Sequence, residues 1–174
     1  MYNGKPLALD FTRVIDMYEF REAIEADYEN ICDLIKGRNE LFLVYPNGSY
    51  PFNVDQLTEL SKTRIELTVV TEGNRVLGFA NLYNHKPKEY AFIGNVIIDK
   101  SQRGKGIGKE LVSYMLEKAY SKYDLQEVRI SVFSENTRAL LLYSGFGFVP
   151  YEIEERENYQ GSRVALVHLK KLRI

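Results

Sequence analysis

The chain has 174 residues, of which 45% are hydrophobic and 27% are charged, a balance typical of a globular protein and not of a disordered one. Its 23 Lys and Arg residues nearly equal its 24 Asp and Glu residues, so no global charge favours nucleic acid or an anionic membrane. We therefore expect no nucleic-acid partner and no membrane partner, and one domain over residues 1–174.

The cysteine content and the N-terminal residues indicate the cellular compartment of the protein. The single cysteine, Cys32, cannot form an internal disulfide, and no apolar run approaches the roughly 20 residues that span a bilayer. The segment Leu7–Leu9 is too short for the apolar part of a signal peptide. These features predict a cytoplasmic protein.

The first predicted elements are a strand over 18–23 and a helix over 28–36, which Asp27 caps and Gly37 ends. The segment 41–52 is aromatic and contains Pro and Gly, so we expect a turn-rich segment before a short helix. The later elements are this helix at 54–61, strands at 65–70, 75–83 and 90–98, a helix at 107–120, a strand at 128–133, a helix at 136–146, and strands at 148–155 and 164–172. The predicted fold class is α/β, with the order β-α-α-β-β-β-α-β-α-β-β around one sheet.

A glycine-rich basic turn, residues 103–109, joins the strand at 90–98 to the helix that follows. Its glycines allow the backbone to curl, its cations add charge, and the helix N-terminus adds roughly half a positive charge. Unpaired amides around such a concavity are suited to a phosphate or diphosphate. An ordinary solvated turn is the alternative.

Two familiar phosphate motifs do not match this turn. The dinucleotide pattern G-x-G-x-x-G requires glycine at position 109, which is lysine, and the P-loop requires Ser or Thr after a Gly-Lys pair. A generic nucleotide-binding protein is therefore disfavoured.

The chain resembles the GNAT superfamily of acyl-CoA-dependent N-acyltransferases. The signature [Q/R]-x-x-G-x-[G/A] resembles the segment 103–108, and a second signature resembles Asn136, Ala139, Tyr143, Gly147 and Phe148. The resemblance covers residues 18–172 in element order and implies a mixed, mostly antiparallel twisted sheet flanked by helices. It also implies acetyl-CoA as cosubstrate and a small-molecule or peptide amine as acceptor, and it allows a homodimer.

The resemblance assigns binding residues to the CoA diphosphate and to the pantetheine arm. The diphosphate would rest on Arg103, Gly104, Lys105, Gly106, Ile107, Gly108 and Lys109. The arm would pair with Val96, Ile97 and Ile98, next to a bulge whose amides polarise the thioester carbonyl.

Two further residues resemble functional positions of the family. Asn136 would contact the pantetheine arm, and Tyr143 would lie near the CoA sulfur as the acid for the leaving thiolate. They are seven positions apart, which is two helical turns or about 10.5 Å along one face. A simple helix cap is the alternative for Asn136, and a core aromatic contact is the alternative for Tyr143.

We expect an amine to attack the thioester directly, since Cys32 falls in an apolar stripe and is a poor nucleophile. An alkyl amine with a pKa near 10.4 is neutral in only about one molecule in 2,500 at pH 7, so a base is needed. Many family members carry a Glu on the strand before the turn, where this chain offers only Asn95. The base is therefore unassigned, with Glu66 and a water chain as alternatives. His85 and His168 have no ligand-spaced companion, which argues against a metal site.

The acceptor is expected between the segment 41–52 and the last hairpin. An aromatic wall and an acidic rim would favour cationic acceptors such as polyamines, aminoglycosides or basic peptides. The wall would consist of Phe42, Tyr45, Tyr50 and Phe52. The rim would consist of Glu152, Glu154, Glu155 and Glu157. Core aromatics and a solvated strand edge are the alternative.

Two functions are consistent with these motifs. The first is an acetyl-CoA-dependent N-acetyltransferase. The alternative is a CoA-binding sensor or interaction module without turnover, which the missing carboxylate favours slightly.

Overall fold

The computed structural model describes residues 13–15 and 17–174. Within them, eight strands form one sheet in the order β1-β2-β3-β4-β5-β6-β8-β7. The strands are β1 (Arg13–Ile15), β2 (Tyr18–Glu22), β3 (Ile65–Glu72), β4 (Arg75–Lys86), β5 (Tyr90–Ile98), β6 (Glu127–Phe133), β7 (Val149–Glu157) and β8 (Arg163–Leu172). The helices are α1 (Tyr28–Cys32), α2 (Arg38–Val44), α3 (Val54–Ser61), α4 (Ile107–Ser121) and α5 (Thr137–Gly145).

All neighbouring strands are antiparallel except β5 and β6. These two strands pair in parallel only from Tyr90 to Ile93 on β5 and from Glu127 to Ile130 on β6, and α4 makes the crossover between them. Beyond Ile93 the two strands have no paired residues, although β5 continues to Ile98. The sheet therefore opens at its centre, and the candidate site lies at this opening.

The core has two parts, one on each face of the sheet. The larger part packs α4 and α5 against the strands, and Leu111, Met115 and Tyr143 belong to it. The smaller part packs α1 and α3 against the other face, through residues such as Ile31 and Leu57. The alternation of side chains along β5 sends Val96 and Ile98 towards the first core and Ile97 into the second.

The predicted fold class is confirmed: a mixed α/β fold with a mostly antiparallel sheet flanked by helices. The predicted helix at 54–61 and the predicted strand at 90–98 have the observed bounds of α3 and β5. The 3.6-residue period and the alternation of apolar residues were sufficient signals there. The strand β1 was not predicted, since the first predicted strand began at Tyr18.

The region between β2 and α3 was predicted incorrectly. The expected helix over 28–36 ends at Cys32, because tighter bonds from Leu34 N–H to Ile31 O and from Ile35 N–H to Cys32 O turn the chain. Asp27 makes no side-chain cap and instead pairs with Arg21. The expected turn-rich segment begins inside α2, which continues to Val44 and ends before the breaker residues Pro46 and Gly48.

Candidate active site

A bulge interrupts the pairing of β4 with β5 at the opening of the sheet. Residues 79–81 of β4 face residues 94–97 of β5, so β5 carries one extra residue there. Asn95 adopts a left-handed conformation with φ of 53°. A bulge leaves backbone groups of this strand without ladder partners, which is the geometry expected for polarising a carbonyl oxygen.

Asn95 fastens this bulge to its surroundings. Its Oδ1 accepts a hydrogen bond of 2.7 Å from Asn81 Nδ2, and its Nδ2 donates one of 2.8 Å to the carbonyl oxygen of Val44 at the end of α2. Both groups of the amide are therefore engaged. Asn95 holds a helix against the bulged strand and offers no base.

The glycine-rich turn owes its shape to two glycines. Gly104 and Gly106 have φ of 84° and 88°, where L side chains are strained, yet a Cβ at either position would meet no atom within 4 Å. Backbone conformation, and not crowding, therefore requires glycine there. Gly106 precedes α4, a helix of 15 residues whose first amides lack intrahelical acceptors.

The cations of this turn are not equivalent. The Nη2 atom of Arg103 donates to Glu40 Oε1 at 2.6 Å, and its Nε donates to Ile98 O at 2.9 Å. Arg103 thus joins the turn to α2 and β5, and its charge is balanced by a carboxylate. Lys105 Nζ donates to Gln102 Oε1 at 2.9 Å, and Lys109 is exposed.

A first cavity of about 270 Å³, called here the cofactor cavity, lies between the turn, the bulge and α5. Eight of the predicted site residues line it: Val96, Ile97, Ile98, Arg103, Gly104, Gly108, Asn136 and Tyr143. Four others do not: Lys105, Gly106, Ile107 and Lys109. Ile107 is 2% exposed and packs in the core, so only its backbone amide belongs to the turn.

A second cavity of about 410 Å³, called here the acceptor cavity, opens on the other side of the bulge. It shares Val96, Asn136 and Tyr143 with the cofactor cavity, together with Leu43 and Val44 of α2. The two cavities therefore meet around the bulge and Tyr143.

Tyr143 is buried at this junction. Its side chain is 5% exposed, and its ring centroid lies 6.0 Å from that of Phe148 in an edge-on arrangement. Burial raises the pKa of its hydroxyl, so the phenol is protonated at neutral pH. The residue makes the core contact that was its alternative role and also lines both cavities.

Asn136 is the N-cap of α5. Its Oδ1 accepts a hydrogen bond of 3.2 Å from the backbone N–H of Ala139, so it makes the helix cap that was its alternative role. It also lines both cavities.

Three strands contribute a chain of polar side chains to the acceptor cavity. His168 Nδ1 lies 2.8 Å from Ser131 Oγ, and His168 Nε2 lies 2.9 Å from Glu154 Oε1. Tyr83 also lines this cavity, and burial raises the pKa of its phenol. The sequence pattern considered His168 only in arguing against a metal site, since no local signal joins β6, β7 and β8.

The other candidate groups lie outside both cavities. Glu66 Oε2 accepts hydrogen bonds of 2.6 Å from Lys122 Nζ and 2.9 Å from the hydroxyl of Tyr123. Glu66 is therefore not placed to deprotonate an acceptor. Cys32 is buried, and burial raises the pKa of its thiol to about 11, which disfavours the thiolate.

The expected acidic rim does not line the acceptor cavity. Glu154 is bonded to Arg156 and to His168, and Glu155 pairs with Arg163 beside a separate surface groove. Of the expected aromatic wall, only Tyr45 lines the cavity. Phe42 is stacked on Phe133 at 4.2 Å, and Phe52 packs against the smaller core.

Within residues 13–15 and 17–174, no group of His, Cys, Asp and Glu side chains is arranged to hold a metal ion. None of the helices in this part of the chain has the length and apolar character required to span a bilayer.

Comparisons with known proteins agree with this geometry. The family model of the GNAT acetyltransferases matches residues 18–148. Because that match covers most of the chain, the protein belongs to the GNAT acetyltransferase family. Members of this family are acyltransferases that use acetyl-CoA.

Solved structures share the fold at low sequence identity. A spermidine N-acetyltransferase from Vibrio cholerae, in complex with CoA and spermine, has a TM-score of 0.76 at 22% identity and covers 91% of this chain and 96% of its own. A ribosomal-protein-S5-alanine acetyltransferase from Vibrio fischeri has a TM-score of 0.75 at 20% identity, over 92% and 96% of the two chains.

Among curated proteins, a probable spermine N(1)-acetyltransferase of Bacillus subtilis subsp. natto is 27% identical over 78 residues. These residues are 45% of this chain and 49% of the relative, so the chain spans about half the length of the curated relatives that it matches.

Proposed function

We propose that the protein is an acetyl-CoA-dependent N-acetyltransferase that acts on a primary amine by direct attack in a ternary complex. The observation that carries this proposal is the meeting of the cofactor cavity and the acceptor cavity at the bulge of β5 and at Tyr143. Two substrates bound on opposite sides of this junction would bring amine and thioester together, so no covalent enzyme intermediate is required.

The residues of the cofactor cavity fit acetyl-CoA. The left-handed turn at Gly104 and Gly106, followed by the N-terminus of α4, is suited to the diphosphate. The pantetheine arm would lie along Val96–Ile98 and contact Asn136. Arg103 contributes by positioning the turn, since its charge is already paired with Glu40.

The reaction forms a C–N bond and breaks the C–S bond of the thioester. Backbone amides at the bulge would stabilise the charge that develops on the carbonyl oxygen. Tyr143, whose phenol is protonated at neutral pH, would donate its proton to the leaving thiolate.

The proton of the attacking amine requires an acceptor, and we assign it to the chain Ser131–His168–Glu154. With its proton on Nε2, His168 donates to Glu154 and accepts from Ser131 at Nδ1. The Ser131 hydroxyl lines the acceptor cavity, and its oxygen can receive an amine proton as its own proton passes to His168. Transfer along the chain ends on an imidazolium beside the Glu154 carboxylate.

The variant His168→Gln tests this route. We expect kcat/KM to fall about 10²- to 10⁴-fold, because the Ser131 proton would lose its acceptor. His85→Gln is the matched control, because His85 lies beside Tyr123 and outside both cavities. Unchanged kcat/KM in His168→Gln, or an equal loss in His168→Gln and His85→Gln, would rule out the route.

The proposed function itself is tested by thiol release from acetyl-CoA across a panel of amines, with product mass as the second readout. We expect stoichiometric thiol and N-acetylated product. Saturable CoA binding with no thiol from any amine would instead favour the CoA-binding sensor.

A further inference from the structure

The charged residues that line the acceptor cavity are basic, whereas the expected acidic rim and a polyamine acceptor would both require negative charge there. Its charged lining residues are Arg64, Arg156 and the titratable His168, and no Asp or Glu lines it among the described residues. Arg156 is balanced by Glu154, which is also bonded to His168. Arg64 is therefore the cation of this cavity for which the described residues supply no counter-ion.

The environment of Arg64 supports this conclusion. Its guanidinium carbon lies 4.3 Å from the ring centroid of Tyr83, and its Nε is buried without a hydrogen-bond partner. Burial lowers the pKa of Arg64, and the neighbours that oppose this effect are the phenols of Tyr83 and Tyr45. Within the described part of the chain, then, no carboxylate offsets this half-buried cation, although an Arg remains charged in proteins.

A half-buried cation without a counter-ion lowers the stability of the folded protein. A ligand that brings the opposite charge stabilises it. The planar guanidinium donates in a fork that matches a carboxylate or a similar oxyanion. Because Arg64, Ser131 and the bulge of β5 line the same cavity, the anion and the reacting amine would be close neighbours in one small molecule.

We propose that Arg64 forms an anion subsite and that the acceptor is an amine carrying a nearby carboxylate or equivalent oxyanion, in the manner of an α-amino acid. This inference rests on the proposed function and specifies its substrate class. A cavity of about 410 Å³ is adequate for such a molecule. Spermine, which is bound together with CoA in the Vibrio cholerae spermidine N-acetyltransferase, would bring additional positive charge to Arg64.

The test compares each of several amino acids with its own carboxamide, which keeps the shape and the amine but removes the negative charge. For the unaltered protein we expect kcat/KM to be roughly 10- to 100-fold higher for the acid than for the amide. Arg64→Met should abolish this preference by slowing only the acid, and Arg64→Lys should keep part of it. Arg163→Gln is the control, since Arg163 is exposed and pairs with Glu155 away from the cavity.

Dipeptides are a second set of test substrates, because their amine and carboxylate are farther apart than those of a free amino acid. A higher kcat/KM for the free amino acid would support a compact acceptor. Equal rates for acid and amide, equal loss of both in Arg64→Met, or faster turnover of spermine would overturn the proposal.

Calorimetric titration of the acids into the protein–CoA complex separates the two proposals. Binding that Arg64→Met removes, without turnover of any amine, would refute the proposed function and support the anion subsite. Turnover of amines without a carboxylate preference would support the proposed function and refute the subsite.

Discussion

Tyr143 is a phenol that is buried and yet lies where two cavities meet. We expect Tyr143→Phe to lower kcat by about 10²-fold, because the thiolate would leave without a proton donor. This is the lower end of the range typical of a general acid. The affinity for CoA should stay almost unchanged, since the ring and its packing are kept. Stopped-assay rates and calorimetric CoA titration measure the two effects.

Tyr120→Phe is the matched control for that variant. Tyr120 is a partly buried tyrosine whose hydroxyl donates to Lys171 O at 3.3 Å, away from both cavities. It should retain the unaltered rate. If Tyr143→Phe also kept the unaltered rate, Tyr143 would not be the proton donor.

Gly106 tests the role of the glycine-rich turn at a single residue. Gly106→Val places a β-branched residue at φ of 88°, and we expect CoA to bind about tenfold or more weakly because the turn must change its backbone conformation. Gly73→Val imposes comparable strain at φ of 56°, in the hairpin between β3 and β4. It should lower stability and leave the CoA dissociation constant unchanged; equal weakening by both variants would show a global effect.

At the scale of the element, α2 is held against the bulge by contacts with β5 and with the turn. Asn95 reaches Val44 at the helix end, and Arg103 reaches Glu40 near its beginning. Glu40 Oε2 also accepts a hydrogen bond of 2.7 Å from Lys36 N–H, just before the helix. Since Leu43 and Val44 line both cavities, the docking of this short helix shapes the site.

Asn95→Ala should release this docking. Asn81, which is fully buried, would lose its hydrogen-bond acceptor, and we expect a loss of about 1–3 kcal/mol in the free energy of unfolding together with weaker CoA binding. Asn84→Ala is matched in backbone conformation, with φ of 47°, but Asn84 is exposed. Urea denaturation of both variants measures how much the hydrogen bonds of Asn95 contribute to the free energy of unfolding. Equal destabilisation by both variants would contradict this role of Asn95.

At the scale of the whole molecule, the carboxylate of Asp27 joins β2 to the segment that leads into α1. It accepts hydrogen bonds of 2.7 and 2.9 Å from Arg21, and one of 2.9 Å from the backbone N–H of Ile24. The hydrogen bonds from Arg21 are the main reason that the pKa of Asp27 is lowered. The stabilisation is therefore present above the unfolded-state pKa, near 4, and is lost as the pH falls through the folded-state value.

Asp27→Asn should lower the free energy of unfolding by about 1–3 kcal/mol at pH 7. The difference from the unaltered protein should shrink as the pH is lowered below about 4, because the native carboxyl is then protonated as well. Urea midpoints at several pH values measure this. Glu59→Gln, which removes an exposed ion pair with Lys62, should change stability by at most about 0.5 kcal/mol at any pH.

Local signals were sufficient for much of the fold and for part of the candidate site. The helix α3 and the strand β5 were predicted with their observed bounds, because apolar period and turn residues act over a few positions. The left-handed glycines of the turn were also predictable, since alternate glycines between a strand and a helix have few other uses. The helix α2 was missed because its signals, a Glu40 carboxylate that accepts from the backbone N–H of Lys36 and two buried apolar residues, are weaker than the neighbouring breakers.

By itself, the sequence determined the family, the mixed sheet and the place of the glycine-rich turn, because these follow from residues that are neighbours along the chain. Only the tertiary structure decided the charge of the acceptor cavity, the pairing of Arg103 with Glu40, and the chain from Ser131 through His168 to Glu154. These features join residues that are distant in sequence, so they depend on strand order and register. From the sequence, Glu154 was expected to belong to an acidic rim around the acceptor. In the fold, its carboxylate instead forms a hydrogen bond with His168.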